Sequence, residues 1–126
     1  MSLLLDTHAV IWVLSDPKSL SRRVRTVLQR GRRTAFVSTV SLYEIELKRR
    51  RGKLPRAIKQ GFETALSSAG YNLLALSAND ALAAAALPEL HRDPWDRIII
   101  AQALERGFEV ATVDEEFAQY GVKVFW

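Results

Sequence analysis

Short apolar runs that alternate with stretches of helical periodicity constrain the fold of this chain more than any other feature. The first run, Leu3-Leu4-Leu5, ends abruptly at Asp6, and the apolar residues 9–14 follow almost at once. This order predicts a buried strand, a sharp turn and a helix. Asp16-Pro17 ends that helix, because the residue before a proline is pushed out of the α region.

The same alternation continues to the end of the chain. Further strands are predicted at residues 35–37, 71–76, 108–113 and 122–126. The other predicted helices run from Ser19 to Arg30, from Leu42 towards Gly52, from Pro55 to about Ser68, from Ser77 to Pro88, from Ile98 to Gly107 and from Glu115 to Tyr120. Strands and helices in this order favour an α/β sandwich with a mainly parallel, five-stranded sheet. No repeat, low-complexity tract or linker interrupts residues 1–126, so we expect a single domain.

Composition limits the class of protein. The chain has no cysteine, which excludes disulfides and thiolate metal sites and fits a reducing compartment. No basic region precedes the first apolar run, and no segment is long enough to span a bilayer. We therefore expect a cytoplasmic protein without a signal peptide or a membrane anchor.

The charge of the chain is basic, with a net charge of +4 and a sequence pI near 9.8. A polyanionic partner is compatible with this balance. The excess is concentrated in a first basic group (Arg22, Arg23, Arg25, Arg30, Arg32 and Arg33) and a second basic group (Lys48, Arg49, Arg50, Arg51, Lys53 and Arg56). Each group is either a solvated helix face or a phosphate-binding rim. No aromatic residues interleave with the arginines, so these groups do not predict stacking platforms for single strands.

Four acids stand where a parallel sheet would gather them. Asp6 follows the first strand, Asp114 follows the fourth, and Glu44 lies on the helix after the second. Asp96 falls in the first turn of the helix that precedes the fourth strand. Ligands bind outside the carboxyl ends of the strands in open parallel sheets. If strands one and four are neighbours, all four acids can converge at one edge.

Three of these acids also have ordinary structural explanations. Asp6 and Asp114 could be helix N-caps, a role that aspartate fills well. Ser41 and Glu44 have the spacing of a capping box, in which the glutamate bonds back to the backbone. These structural roles stay open at the level of sequence.

Asp96 is harder to explain as a structural residue. Asp93-Pro94 already supplies an N-cap and a proline at the first helical position. Several carboxylates brought together raise one another's pKa unless a cation neutralises them, and hard divalent ions prefer oxygen ligands. The pattern predicts a divalent metal site that would activate water and stabilise charge on a phosphodiester.

The chain resembles the PIN-domain ribonucleases, and particularly the VapC-type toxins of toxin–antitoxin pairs. The resemblance rests on four motifs: Leu3-Leu4-Leu5-Asp6-Thr7-His8, Ser38-Thr39-Val40-Ser41-Leu42-Tyr43-Glu44-Ile45, His91-Arg92-Asp93-Pro94-Trp95-Asp96-Arg97 and Ala111-Thr112-Val113-Asp114-Glu115-Glu116-Phe117. The third is the most specific, although Trp95 stands where phenylalanine is expected. The resemblance implies a three-layer α/β/α sandwich and Mg²⁺- or Mn²⁺-dependent cleavage of RNA.

The resemblance also implies roles for particular residues. The residues matching the family's acidic quartet, which would hold the metal and carry catalysis, are Asp6, Glu44, Asp96 and Asp114. The residues matching supporting positions are Thr7, Ser38, Arg97, Thr112 and Glu116. The hydroxyl groups among them would orient carboxylates or water. Arg97 would steady Asp96 or face phosphate.

Two histidines are secondary candidates. His91 has the pKa range of a general base, yet the resemblance implies that metal-activated water is the nucleophile. A structural or substrate-contacting role is therefore expected for His91, and an orienting or packing role for His8. The resemblance further implies a cognate antitoxin protein that covers the groove, and a homodimer.

Other classes fit less well. Haloacid dehalogenase-like phosphatases need a second acid two residues after the first, where this chain has His8. A response-regulator receiver needs a phosphoacceptor aspartate after the third strand, a region occupied here by Ser77 and Asn79. The main alternative is a non-catalytic domain of the same fold that binds RNA or a protein.

Overall fold

A computed structural model describes residues 1–90 and 93–126. The strands are β1 (Leu3–Leu5), β2 (Ala35–Ser38), β3 (Asn72–Leu74), β4 (Glu109–Ala111) and β5 (Val124–Phe125). The helices are α1 (Thr7–Ser15), α2 (Arg22–Arg30), α3 (Thr39–Arg50), α4 (Phe62–Ser68), α5 (Ala78–Ala86) and α6 (Pro94–Arg106), with 3₁₀ helices at Pro17–Ser19 and Glu115–Tyr120. No helix in these two ranges is both long and apolar enough to cross a membrane.

All pairings in the sheet are parallel, and the strand order is β3-β2-β1-β4-β5. β1 is central: Leu3 is level with Ala35 on one side and with Glu109 on the other. Strands one and four are therefore neighbours, as the convergence of the acids requires. The predicted α/β sandwich around a parallel five-stranded sheet is confirmed.

The three layers follow from the side chains of β1, which is buried on both faces. Because successive residues of a strand point to opposite faces, Leu3 and Leu5 join one hydrophobic cluster and Leu4 joins another. The first cluster includes Val10 of α1, and the second includes Ile99 of α6. A strand that is buried on both faces needs apolar side chains at consecutive positions, which explains the continuous apolar run Leu3-Leu4-Leu5.

Several predicted helix ends are confirmed by their caps. Asp6 caps α1, and Asp16 ends it before Pro17. Ser77 and Asp80 form the predicted capping box of α5. Asp93 caps α6, which ends at Gly107 in a left-handed conformation (φ 68°) that a residue without a Cβ adopts easily.

The predicted helix from Pro55 to Ser68 is wrong in its first half. The chain makes turns there, with Ile58 N donating to Pro55 O, and α4 begins only at Phe62. Gly61 has a φ of 88°, which interrupts any helix that enters from the N-terminal side. Ile58 and Phe62 are both buried, so core packing stabilises this non-helical path.

Other boundaries also differ from expectation. α2 starts at Arg22, because Ser21 accepts a hydrogen bond from Val24 N and caps it; Ser19 belongs to the preceding 3₁₀ helix. β3, β4 and β5 cover only part of the predicted apolar runs, and α3 begins at Thr39, before the predicted Leu42. Apolar character extends beyond the residues that pair, so it overestimates strand length.

Candidate functional site

Asp6 and Asp114 lie at the carboxyl ends of the adjacent strands β1 and β4, joined by one threonine. Asp6 Oδ1 accepts from Ala9 N at 2.8 Å, and Asp6 Oδ2 accepts from the Thr112 hydroxyl at 2.5 Å. The Thr112 oxygen in turn accepts from Asp114 N at 3.0 Å. Thr112 therefore fixes the carboxylate of Asp6 and the backbone of Asp114 together.

The electrostatics of this pair favour a bound cation. Asp6 is only 5% exposed, and burial raises the pKa of its carboxyl above the ordinary value. The hydrogen bonds from Thr112 and Ala9 and the nearby His8 oppose this shift, whereas the charge of Asp114 adds to it. A cation placed between the two aspartates would relieve both the desolvation and the repulsion.

Both aspartates also cap helices, as the structural explanation predicted. Asp6 caps α1, and Asp114 Oδ1 accepts from Glu116 N at 2.9 Å at the start of the last 3₁₀ helix. Capping and ligand binding are compatible, because an ionised carboxylate offers about four acceptor sites.

Glu44 lies on α3 and is half-buried, and its Oε2 pairs with Lys48 Nζ at 3.0 Å. The alternative capping box of Ser41 and Glu44 is wrong, because α3 begins at Thr39 and Ser38 is its N-cap. The Ser41 hydroxyl instead bonds to Thr7 at 2.9 Å. Glu44 is therefore free of any capping role, but it is paired with a lysine.

Asp96 is half-buried in the first turn of α6. Asp93 Oδ1 accepts from Trp95 N and Asp96 N, at 2.9 and 3.4 Å, so the cap of this helix does not use the Asp96 side chain. The Arg97 guanidinium donates to the carbonyls at the end of α5 and just beyond it, those of Ala84, Leu87 and Pro88. Arg97 therefore ties the start of α6 to the C-terminal end of α5, which the sequence did not suggest.

Two of the remaining supporting residues, Ser38 and Thr7, fix the first turns of helices. Ser38 is fully buried and accepts from Val40 N at 3.1 Å, and Thr7 joins α1 to α3 through Ser41. These bonds fix the helices that carry Asp6 and Glu44.

Glu116 is exposed, and its backbone amide bonds to Asp114. His91 and Arg92 lie outside the described residues, and exposed His8 packs against Trp12 with ring centroids 6.0 Å apart.

The chemistry of the donors fits a divalent metal, although the four acids do not form one cluster. Across residues 1–90 and 93–126, no three carboxylate or histidine side chains lie close enough together to hold a metal ion. The structure brings Asp6 and Asp114 into electrostatic contact, and it places Glu44 and Asp96 on α3 and α6, which pack against each other. Two carboxylates with water completing the shell are a common donor set for magnesium.

The two basic groups lie in different settings. In the first, Arg33 pairs with Glu109 at 2.9 Å and donates to Met1 O, at the amino ends of β1 and β4 and thus opposite the acids. In the second, Arg49 and Arg50 both pair with Glu46 on α3. These two arginines hold the pKa of Glu46 down at about 2.

One feature of this edge escaped sequence reasoning. Tyr43 on α3 and Trp95 on α6 form a tilted ring pair with centroids 5.3 Å apart. Each ring belongs to the residue just before a candidate acid, Glu44 or Asp96. In the sequence, this position next to an acid is the one indication that the two aromatic residues belong to the site. Their contact is not predictable, because nothing in the sequence shows that α3 and α6 pack together.

Comparison with solved structures gives the same fold. A toxin–antitoxin complex from Klebsiella pneumoniae matches with a TM-score of 0.70 and 23% identity, over 99% of this chain and 97% of that one. VapBC2 from Rickettsia felis bound to a DNA fragment from its promoter matches with a TM-score of 0.73 and 16% identity, over 99% and 98%. DNA-bound VapBC from Salmonella typhimurium matches with a TM-score of 0.71 and 17% identity, over 99% and 97%.

Sequence comparison supplies the family. No match was found among curated proteins. The sequence model of the PIN domain, a domain of nucleases, matches residues 3–123, which is nearly the whole chain. The chain therefore belongs to the PIN domain family.

Proposed function

We propose that this protein is a metal-dependent endoribonuclease that hydrolyses RNA phosphodiester bonds. The observation that carries the proposal is the buried Asp6 carboxylate, held by Thr112 beside Asp114 at the carboxyl ends of the two central strands. The two acids oppose each other electrostatically, because the charge of Asp114 adds to the burial that raises the pKa of Asp6. Such an arrangement is expected where a divalent cation binds.

Mg²⁺, or Mn²⁺ in its place, would be held by Asp6 and Asp114, with Glu44 and Asp96 as further ligands. When bound, a divalent ion lowers the pKa of water and neutralises charge on the phosphate. The protein's own contribution is orientation: Ala9 N and the Thr112 hydroxyl fix both oxygens of Asp6. Ser38, through its cap of α3, positions the helix that carries Glu44.

We also propose that the protein is the toxin of a toxin–antitoxin pair. The solved structures that share its fold are described as toxin–antitoxin and VapBC complexes. In this proposal residues 1–126 are one domain that acts in the cytoplasm, forms a homodimer and is covered by a cognate antitoxin. Co-expression with the neighbouring reading frame, followed by purification of the pair, tests this part.

The enzymatic proposal is tested by RNA cleavage with Mg²⁺, with and without a chelator. Wild type should cleave, and Asp6→Asn and Asp96→Asn should lose at least about 100-fold in rate, since even residues that only orient metal ligands cost 10- to 100-fold. Asp16→Asn is the matched control: this exposed aspartate lies at the far end of α1, about 15 Å along the helix from Asp6.

A second candidate function is a non-catalytic PIN-like domain that binds RNA or a protein. The observation that favours it is the Glu44–Lys48 ion pair, which occupies one of the four acids. Cleavage that resists the chelator would show that the activity does not depend on a divalent metal. Equal cleavage by wild type and both acid variants would show that Asp6 and Asp96 do not belong to the active site. RNA binding by wild type without any cleavage would establish the second candidate.

A further inference from the structure

A shallow apolar cavity of about 290 Å³ is lined in part by the two residues that directly precede Glu44 and Asp96 in the chain. Its lining, which we call the aromatic shelf, consists of Thr39, Val40, Tyr43, Leu76 and Trp95. Tyr43 is 55% exposed and Leu76 is 41% exposed, so these large side chains contribute much of their area to the surface. Exposed apolar area that rims a polar site is a common feature of binding surfaces.

The aromatic shelf and the acid pair share one edge of the sheet. Thr39 directly follows β2, and Leu76 lies two residues after β3. The Thr39 hydroxyl accepts from Leu76 N at 3.3 Å, which fixes the floor of the shelf at the carboxyl ends of these strands. Asp6 and Asp114 lie at the carboxyl ends of the next strands along, β1 and β4.

Two helices carry the shelf and the acids together. On α3, Tyr43 precedes Glu44, and on α6, Trp95 precedes Asp96. Consecutive residues of a helix are rotated by about 100°, so each helix presents a ring and an acid on adjoining faces. The Tyr43–Trp95 ring contact closes the shelf between the two helices.

The aromatic shelf matches the chemistry of a nucleobase. Proteins recognise unpaired RNA by stacking splayed-out bases on aromatic side chains, and every base has a π face that can stack. The two tilted rings touch each other and are flanked by the aliphatic side chains of Val40 and Leu76, so a base would stack on their outer, solvent-facing side and not between them. Each ring directly precedes a candidate acid on its helix, so a phosphate bound at Glu44 and Asp96 would bring the base of a neighbouring nucleotide close to the shelf.

We propose that the aromatic shelf binds the base of one unpaired nucleotide next to the phosphate that is cleaved. This inference rests on the proposed ribonuclease function and adds an element, the aromatic shelf, that contacts a base beside the phosphate. Tyr43, which is 55% exposed, supplies the open ring face, and the partly buried Trp95 supplies the adjoining indole. The shelf is thus a substrate-selecting element, whereas the acids carry the chemistry.

The test measures RNA binding without cleavage, in the presence of a chelator. The probe is a short unstructured oligoribonucleotide, compared with the duplex that it forms with its complement. Wild type should prefer the single strand, and Tyr43→Ala and Trp95→Ala should each weaken single-strand binding by roughly 5- to 100-fold. Trp95→Phe keeps a ring and should lose less. Leu82→Ala, which truncates a 73% exposed side chain on α5, is the control.

Two further readouts separate stacking from charge. Neither ring carries a charge, so the Tyr43 and Trp95 variants should keep the salt dependence of wild type while losing affinity. The single strand should quench tryptophan fluorescence in Trp12→Phe/Trp126→Phe, where Trp95 is the remaining tryptophan, and not in Trp95→Phe.

The outcomes distinguish this proposal from the ribonuclease proposal. Unchanged single-strand binding in the Tyr43 and Trp95 variants, or no binding by any of the proteins, overturns the shelf, even if wild type cleaves RNA. Reduced binding together with dissociation of a dimer, seen by sedimentation, also overturns it and makes the shelf a contact between copies. Ring-dependent binding by a protein that fails to cleave supports the shelf and removes only the catalytic proposal.

Discussion

At the scale of single residues, Asp6 fills the capping role that the sequence offered as an alternative to metal binding, and the two roles are compatible. Its Oδ1 caps α1 and its Oδ2 accepts from Thr112, so the helix cap itself holds the carboxylate in one orientation. Burial beside Asp114 keeps the pKa of this carboxyl raised. The position is therefore costly for folding in the absence of a cation and suited to binding one.

Thr112 is the residue at which this orientation can be tested. Thr112→Val keeps the shape of the side chain but removes the donor to Asp6 and the acceptor for Asp114 N. We expect cleavage to fall by roughly 10- to 100-fold, because partners that orient metal ligands contribute on that scale. Thr112→Ser keeps the hydroxyl and should retain most activity, and steady-state rates at saturating Mg²⁺ make the comparison. Equal rates for Thr112→Val and wild type would show that the activity does not depend on the hydrogen bond from Thr112 to Asp6.

At the scale of elements, α3 has two ends with different functions. Its first turn is fixed by Ser38 and by the Thr7–Ser41 bond, whereas its last turns carry cations that pair with the helix's own glutamates. Lys48 binds Glu44 within the helix at the i,i+4 spacing. If Glu44 is a metal ligand, Lys48 competes with the metal for it.

Removing that competitor should strengthen metal binding. Lys48→Met should lower the Mg²⁺ concentration that stabilises the protein roughly fivefold, since a neighbouring unit charge near a protein surface is worth about 1 kcal/mol or more. The measurement is the rise in Tm with added Mg²⁺, which depends on the ratio of metal to its Kd. Lys53→Met, which removes an exposed lysine just past the end of α3, is the control. An unchanged Mg²⁺ midpoint in Lys48→Met would exclude Glu44 from the metal site.

A second element-scale feature is the polar junction between α5 and α6. Asp80 is buried, and Arg106 binds both of its oxygens, at 2.8 and 3.0 Å. Arg106 and the Ser77 cap together lower the pKa of Asp80 to about 2, despite the burial that acts in the other direction. This junction packs α6, with Asp96 at its other end, against α5.

The Asp80 junction predicts how stability depends on pH. Its folded-state pKa lies below the value of about 3.8 in the unfolded chain, so its contribution is present above pH 4 and is lost as the pH falls towards 2. That contribution is about 2 kcal/mol. Asp80→Asn should be less stable than wild type at neutral pH and should lose correspondingly less stability between pH 4 and 2 in urea unfolding. The exposed Asp16→Asn should follow wild type, and parallel curves for all three proteins would contradict this role.

At the scale of the whole molecule, positive charge is divided between two regions. Arg30 and Arg32 precede β2 at the amino edge of the sheet, whereas Arg50 and Arg51 end α3, the helix that carries Glu44 and Tyr43. All four are exposed. Only the second pair shares an element with the proposed RNA site.

This division predicts which arginines follow the RNA backbone. Arg50→Gln/Arg51→Gln should weaken single-strand binding and reduce the slope of log affinity against log salt by about 1.4, since each neutralised phosphate contributes about 0.7. Arg30→Gln/Arg32→Gln has the same change in charge and should leave the slope nearly unchanged. Binding titrations over a range of salt, with chelator present, measure both. Equal slopes for the two double variants would show that the second basic group is a solvated helix face and does not bind phosphate.

The sequence by itself determined the parallel α/β architecture and placed Asp6 and Asp114 beyond the carboxyl ends of strands, because the buried strands β1 and β4 and the capped helices leave strong local signals. It also determined the caps at Asp93 and Ser77, which depend on residues a few positions apart. The turns over 55–61 escaped prediction because burial of Ile58 and Phe62 outweighs local helical spacing. Only the tertiary structure decided that Thr112 ties Asp6 to Asp114 and that Tyr43 meets Trp95. Both contacts, Thr112 with Asp6 and Tyr43 with Trp95, join residues that are far apart in the chain. They form only when strands and helices pack together, so no local pattern in the sequence predicts them.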